Sequence, residues 1–235
     1  DKIVFSGVGK TEEELSLALD SDVMQFNIES VAELEMLSNI AILKKKKAPI
    51  AFRINPDIDA GGHEKISTGG SSTKFGIAYK DAVTVYEYAK TLPGIHVVGI
   101  DIHIGSQITD IEPFKLAFNK VLLLYKELKK NGHNIVNLDL GGGIGVSYDQ
   151  NIKPFHIDQY ADLIKEKFGL LGCKLIFEPG RYISANAGIL LTKVIRNKES
   201  YDNNFLIVDS AMNDILRPAL YDAHHEVISV NEYKR

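Results

Sequence analysis

Six short apolar runs, at residues 2–5, 23–27, 49–54, 97–103, 135–140 and 174–178, each close on glycine or polar residues and are separated by amphipathic segments. This alternation is the tightest constraint on the chain, because parallel strands need a long crossover between them and a helix supplies it. Helices are expected at 11–19, 31–37, 80–91, 111–130 and 158–168. The first carries Glu12, Glu13 and Glu14 in its opening turn, where the helix dipole favours carboxylates. In the fourth, Leu116, Val121, Leu124, Tyr125 and Leu128 fall near one face, which should cover a sheet. Past Arg181 the rhythm stops, since the apolar runs 189–195 and 205–208 have no comparable helix between them. Strand–helix repetition suits either a barrel or an open doubly wound sheet, and the polar strand ends favour a barrel, whose chemistry gathers at such ends. The expected fold class is α/β: a (β/α)8 TIM-like barrel over 1–184, then the start of a β domain over 185–235.

Composition excludes several functions. A net charge of −4 leaves no footprint for nucleic acid, and the one basic run, Lys44 to Lys47, reads as a solvated loop between a helix and a strand. No stretch is apolar for the roughly 18 residues a bilayer span needs, so no membrane partner is expected. The single cysteine, Cys173, rules out an internal disulfide and favours a reducing compartment, so a cytoplasmic location is expected. The seven histidines show no metal-binding spacing, and no metal is expected. The chain opens on a strand pattern without an initiator methionine, from which loss of the natural N-terminus is expected.

The strand ends carry the candidate chemistry. Gly141-Gly142-Gly143-Ile144-Gly145 follows the fifth run, where backbone amides without side chains can approach a phosphate; a tight turn is the plain alternative. A dinucleotide fingerprint would need G-x-G-x-x-G spacing after a first strand, which is absent. Ser6-Gly7-Val8-Gly9-Lys10-Thr11 imitates a P-loop, but Val4 stands where its first glycine belongs, leaving a turn that caps the helix from Thr11. Glu178-Pro179-Gly180-Arg181 brings an acid and a base to the sixth strand end. A carboxylate there can keep a pyridine nitrogen protonated and an arginine can hold a phosphate or carboxylate; the bland reading is a mutual surface ion pair. In His103-Ile104-Gly105-Ser106-Gln107, alternation points His103 inward with Asp101, where an imidazole can stack on an aromatic cofactor or sit as a satisfied core histidine, and Ser106 offers a hydroxyl for phosphate. Arg217 and Tyr221 lie in the later region and could hold an anion.

Taken in order, these segments resemble the diaminopimelate decarboxylase family, within the alanine-racemase-like, fold-type III pyridoxal 5'-phosphate enzymes. The resemblance covers nearly the whole chain. Its carriers are Val4-Phe5-Ser6-Gly7-Val8-Gly9-Lys10, Phe26-Asn27-Ile28-Glu29-Ser30, Arg53-Ile54-Asn55-Pro56, His63-Glu64-Lys65-Ile66-Ser67-Thr68-Gly69, Lys74-Phe75-Gly76, residues 103–107 and 138–143, Glu178 to Arg181, and residues 213–221. The resemblance implies that Glu178 faces the cofactor's pyridine nitrogen, that His103 stacks on its ring, and that Arg53 stands near the ring. It implies that Ser106, Gly142, Gly143, Pro179, Gly180 and Arg181 hold or flank the phosphate, and that Arg181, Arg217 and Tyr221 bind substrate carboxylate. Residues 57–70 would cover the site. It implies decarboxylation of meso-2,6-diaminopimelate to L-lysine by a homodimer with shared sites; the alternatives are another basic amino acid (ornithine, arginine or carboxynorspermidine) or a non-catalytic binding homologue. The family's lysine segment of Y-A-x-K-A-N type and its C-E-S-G-D segment are not found among these residues, the six strands correspond to the third through eighth of the barrel, and the polypeptide alone is expected to be inactive.

Overall fold

The computed structural model of the chain describes residues 2–58, 74–148 and 154–230. Strands and helices alternate as β1 (Val4–Phe5), α1 (Glu12–Asp20), β2 (Gln25–Ile28), α2 (Val31–Leu43), β3 (Ala48–Asn55), β4 (Ile77–Ala78), α3 (Ala82–Thr91), β5 (Ile95–Ile102), α4 (Glu112–Lys130), β6 (Asn137–Gly142), α5 (Ile157–Phe168) and β7 (Lys174–Glu178). The sheet runs β1-β2-β3-β5-β6-β7, every pairing is parallel, and β4 adds only a short rung to the end of β3. These are six parallel strands of a (β/α) barrel, and a separate antiparallel pair, β8 (Val194–Ser200) with β9 (Asn203–Val208), follows.

Strand alternation sorts residues between two destinations. Phe26, Ile28, Ile50, Phe52, Ile54, Ile100, Ile102, Leu138 and Leu140 are buried in one continuous core with the helices. Phe52, for example, packs edge-on against Tyr86 of α3, ring centroids 4.8 Å apart. The alternate residues Gln25, Asn27, Asp101, Asn137 and Asp139 are buried too, although polar, and they line the inner face. α4 closes the core with Phe114, Ala117, Phe118, Val121, Leu124, Tyr125 and Leu128, and Phe114 meets Tyr160 of α5 at 5.0 Å between ring centroids. Leu116, expected on this face, is 55% exposed: the stripe at three- and four-residue spacing passes through 114, 117 and 118.

Two local sequences behave as their chemistry dictates. Thr11 caps α1 through a capping box, its hydroxyl accepting from the Glu14 amide while the Glu14 carboxylate accepts from the Thr11 amide. Lys10 turns inward and donates to the carbonyls of Gly7 and Asn27, each at 2.7 Å, and to Glu33 at 2.6 Å. Its three donors are therefore spent on architecture, in line with the failed P-loop pattern. Lys44 and Lys46 fold back onto the end of α1, pairing with Asp20 and Asp22 at 2.6 and 2.9 Å, so the basic run is a partly anchored turn. Residues 189–193, expected as strand, lie outside β8. The hairpin register, Ser200 opposite Asn203, moves the paired segment towards the polar residues 196–200.

Candidate functional site

At the C-terminal ends of β3, β5, β6 and β7 the chain gathers its charged side chains. The register sets Arg53 of β3 beside Asp101 of β5, and Asp101 beside Asp139 of β6. Glu178, the last residue of β7, pairs with Gly142 across the next rung. Arg53 donates to Glu29 at 2.9 Å and lies 4.8 Å from the centroid of the Phe75 ring, while the Gly76 amide donates to the other Glu29 oxygen at 3.1 Å. The Lys74-Phe75-Gly76 motif therefore seats the arginine. Gly76 has φ of +69°, and a Cβ there would stand 2.7 Å from the Arg53 carbonyl oxygen, so only glycine fits.

The electrostatics are one-sided. Burial, followed by the nearby Asp139, pushes the Glu178 carboxyl up to about 7, against Arg53 and a hydrogen bond from Ser6. Burial raises Asp139 as well, and raises Asp101 well above its ordinary value with further contributions from Asp139 and Glu178. Asp101 Oδ1 is buried without a hydrogen-bond partner among the described residues. Four carboxyl groups, Glu29, Asp101, Asp139 and Glu178, thus surround the Arg53 guanidinium, with Lys10 already committed to Glu33. Such a pocket suits a ligand that brings a positive charge inward, and a protonated pyridine ring is one.

His103 sits just beyond β5 and its Nδ1 accepts from the Gly142 amide at 3.4 Å. Burial and Arg53 bring its pKa down to about 4, so the imidazole is neutral at pH 7 with its proton on Nε2. A neutral ring can lie against a cationic one without charge repulsion. The loops after β5 and β6 are zipped together: Ile108 donates to the Gly143 carbonyl and Gly145 to the Ile108 carbonyl, both at 2.9 Å. A Cβ on Gly143 would stand 2.3 Å from the Gly105 carbonyl oxygen. The glycine run is thus partly strand, with Gly142 ending β6 and Gly143 to Gly145 lying beside residues 105–108. Ser106 lies half-buried in that loop pair.

After β7, Pro179 caps α6 (Gly180–Ser184) and Gly180 has open space around it. Arg181 donates to Gln107 Oε1 at 3.1 Å, and Gln107 also bonds the Val146 carbonyl and amide, tying three strand ends into one rim. No Glu178–Arg181 ion pair occurs among the described residues, which removes the bland reading of that tetrapeptide. Arg217 opens α7 (Arg217–Tyr221) with its guanidinium 5.0 Å from the centroid of Tyr148, downstream of the glycine loop, and 3.2 Å from His225. Tyr221 ends the same helix, half-buried. Of the expected cover over residues 57–70, residues 59–70 lie outside the described residues. Sequence reasoning missed Gln107 as a rim tie, and missed Gln25, Asn27, Asn137 and Asp139 inside the barrel; the signal was polar residues at alternate positions of otherwise apolar strands.

A parallel sheet with a carboxylate, a neutral imidazole and a glycine-lined rim converging at its strand ends is the arrangement of a (β/α) barrel that gathers its chemistry at that face. The chain belongs to the pyridoxal-dependent decarboxylases: the family described as pyridoxal-dependent decarboxylase, pyridoxal binding domain, matches residues 1–185. It is 52% identical over 231 residues to the diaminopimelate decarboxylase of Zymomonas mobilis, covering 98% of this chain and 55% of that protein. It is 46% identical over 235 residues to that of Aquifex aeolicus, covering 100% of this chain and 56% of that one. The crystal structure of Helicobacter pylori diaminopimelate decarboxylase complexed with L-lysine superposes with a TM-score of 0.92 at 42% identity, over 97% of this chain and 58% of that one. The chain therefore spans little more than half the length of these relatives.

Proposed function

We propose that the protein is a pyridoxal 5'-phosphate-dependent carboxy-lyase that converts meso-2,6-diaminopimelate to L-lysine and carbon dioxide. The observation that carries this reading is the surplus of buried carboxyl groups around Arg53, with Glu178 at the strand end beside the glycine rim. Names of the relatives narrow the substrate: the proteins of Zymomonas and Aquifex and the lysine-complexed Helicobacter structure are all diaminopimelate decarboxylases. In this reading residues 1–184 belong to the cofactor barrel and 185–235 begin a β domain.

When bound, the cofactor supplies an electron sink for the pair left behind as carbon dioxide departs. The chain's own residues do the rest. Glu178, ionised by a nearby cation, holds the proton on the pyridine nitrogen and so keeps the sink effective. His103, neutral and held by the Gly142 amide, would stack on the cofactor's ring. Ser106, the amides of Gly143 and Gly180, and Arg181 at the end of Pro179-Gly180 hold the phosphate, and Gly142, whose amide donates to His103, flanks it; the helix dipole of so short a turn as α6 adds little. Arg53 keeps Glu29 and the ring region balanced. Arg181, Arg217 and Tyr221 take the substrate carboxylate, and a substrate with an amino-acid group at each end needs such a second anchor. A homodimer and a cytoplasmic location complete the proposal. Among the described residues no helix is long and apolar enough to cross a membrane.

The test is product formation by the full-length protein loaded with pyridoxal 5'-phosphate. L-lysine and carbon dioxide are expected from meso-diaminopimelate, with far slower release from ornithine, arginine or carboxynorspermidine. Faster turnover of any of these three would move the substrate assignment, and no turnover of any would favour a non-catalytic binding homologue.

A further inference from the structure

Inside the barrel, below Glu178, four hydrogen bonds run in series through side chains that the proposed chemistry does not use. Asn137 Nδ2 donates to Gln25 Oε1 at 2.9 Å, and Gln25 Nε2 donates to Asn27 Oδ1 at 2.7 Å. Asn27 Nδ2 donates to Ser6 Oγ at 2.9 Å and to Asp139 Oδ2 at 3.2 Å, and Ser6 Oγ donates to Glu178 Oε1 at 3.4 Å. The series starts on β6, crosses to β2, passes to the turn after β1 and ends on β7, so it spans the interior between strands that are not sheet neighbours.

We propose that Gln25, Asn27 and Ser6 form a one-way hydrogen-bond relay that positions the Glu178 carboxylate and turns a hydroxyl proton onto it, making Asn27 a positioning residue for the group that meets the cofactor's ring nitrogen. This rests on the reading of Glu178 given above. The direction follows from donor and acceptor chemistry. Asp139 accepts the Gly141 amide on Oδ1 at 3.1 Å and Asn27 on Oδ2, so the nitrogen end of the Asn27 amide faces inward towards it. The oxygen end then needs a donor, which Gln25 provides, and the Gln25 oxygen in turn needs Asn137. Gln25 and Asn27 are fully buried, so reversing either amide would set two oxygens face to face without water to relieve them. Ser6, having accepted from Asn27, has its one O–H to give to Glu178.

An independent feature supports a built network. Gly99 of β5 sits opposite Asn137 in the register, and a Cβ there would stand 2.8 Å from Gln25 Oε1 and 2.9 Å from the Asn137 carbonyl oxygen. Glycine weakens a strand interior, and here its missing side chain makes room for the amide pair that starts the relay. The relay also answers a need. Asp139 from β6 and Glu29 after β2 act against an ionised Glu178, Asp101 of β5 is a further buried acid near it, and among the described residues Arg53 of β3 and the Ser6 hydroxyl favour the anion.

The experiment titrates Glu178 in the full-length protein stripped of cofactor, by infrared or NMR spectroscopy of isotope-labelled glutamate, with Glu178→Gln identifying the signal. Ser6→Ala is expected to raise the pH midpoint of Glu178 by roughly half a unit, since one long bond to the charged form is lost. Ser6→Thr, which keeps the hydroxyl, should restore the wild-type midpoint. Gln25→Leu should shift it the same way as Ser6→Ala; should that buried substitution fail to fold, the exposed Ser6 pair still decides. A midpoint unchanged in Ser6→Ala overturns the relay. The underlying site reading is judged separately: if Glu178→Gln leaves the absorbance of bound pyridoxal phosphate unchanged, Glu178 does not face the ring, whatever the titration gives.

Discussion

Glu178 is the residue whose environment most departs from what its side chain prefers. Its folded-state pKa stands at about 7 against an ordinary 4.5, with burial the leading cause and Asp139 next. Between those pH values the folded protein holds more protons than the unfolded chain, so the contribution of this group to stability is present at low pH and falls as pH rises through the window. Glu178→Gln removes that dependence. In the cofactor-free protein, the melting temperature of the variant relative to wild type should rise from pH 4.5 to about 7 and then level off. A difference that stays flat over that range would put the carboxyl at its ordinary value. Glu178, Arg181 and His103 could be singled out as candidates in the sequence because each stands at or just past a strand end within two residues of a glycine, a local pattern. Asp139 and Asn27 were not, because a polar residue inside an apolar run is assigned to the inner or outer face only once neighbouring strands set the register.

At the scale of single elements, local signals held where the chemistry is local. Thr11 and Glu14 read as a helix start and form the capping box, so Thr11→Ala should cost about 1 kcal/mol, which for a protein of this size is a melting shift of roughly 2–4 °C. Differential scanning calorimetry measures it, and an unchanged melting temperature would mean that α1 is held by packing alone. Helix α2 ran further than the expected 31–37, to Leu43, because Ile40 and Ala41 continue its buried side although no cap or proline marks the end in sequence. The opposite error fell on β8. There residues 189–193, opening with Ile189-Leu190-Leu191, looked like strand, but pairing with β9 selects partners by register and leaves Ile189 and Leu191 exposed at 91% and 71%. Two-residue β4 was beyond reach, since its one pairing depends on where the end of β3 lies.

On the scale of the molecule, the sheet curls until Ser6 beyond β1 and Glu178 at the end of β7 approach within 3.4 Å, yet among the described residues β1 and β7 each pair with one neighbour. Backbone edges of this kind recruit further strands. The outward side of β7 adds Phe177 at 43% exposure, and Ile183 of α6 follows at 69%. Expressed by itself, the 235-residue polypeptide should therefore self-associate through these edges. Light scattering coupled to size exclusion is expected to give a mass above 26.0 kDa that rises with concentration. Phe177→Lys, placing a charge on the β7 edge strand, should lower that mass because an incoming strand would have to bury the ammonium. If the polypeptide stays at 26.0 kDa at every concentration, the two edges are protected by the curl itself; if it associates but Phe177→Lys changes nothing, the contact lies elsewhere, with the exposed apolar residues around β8 next in line.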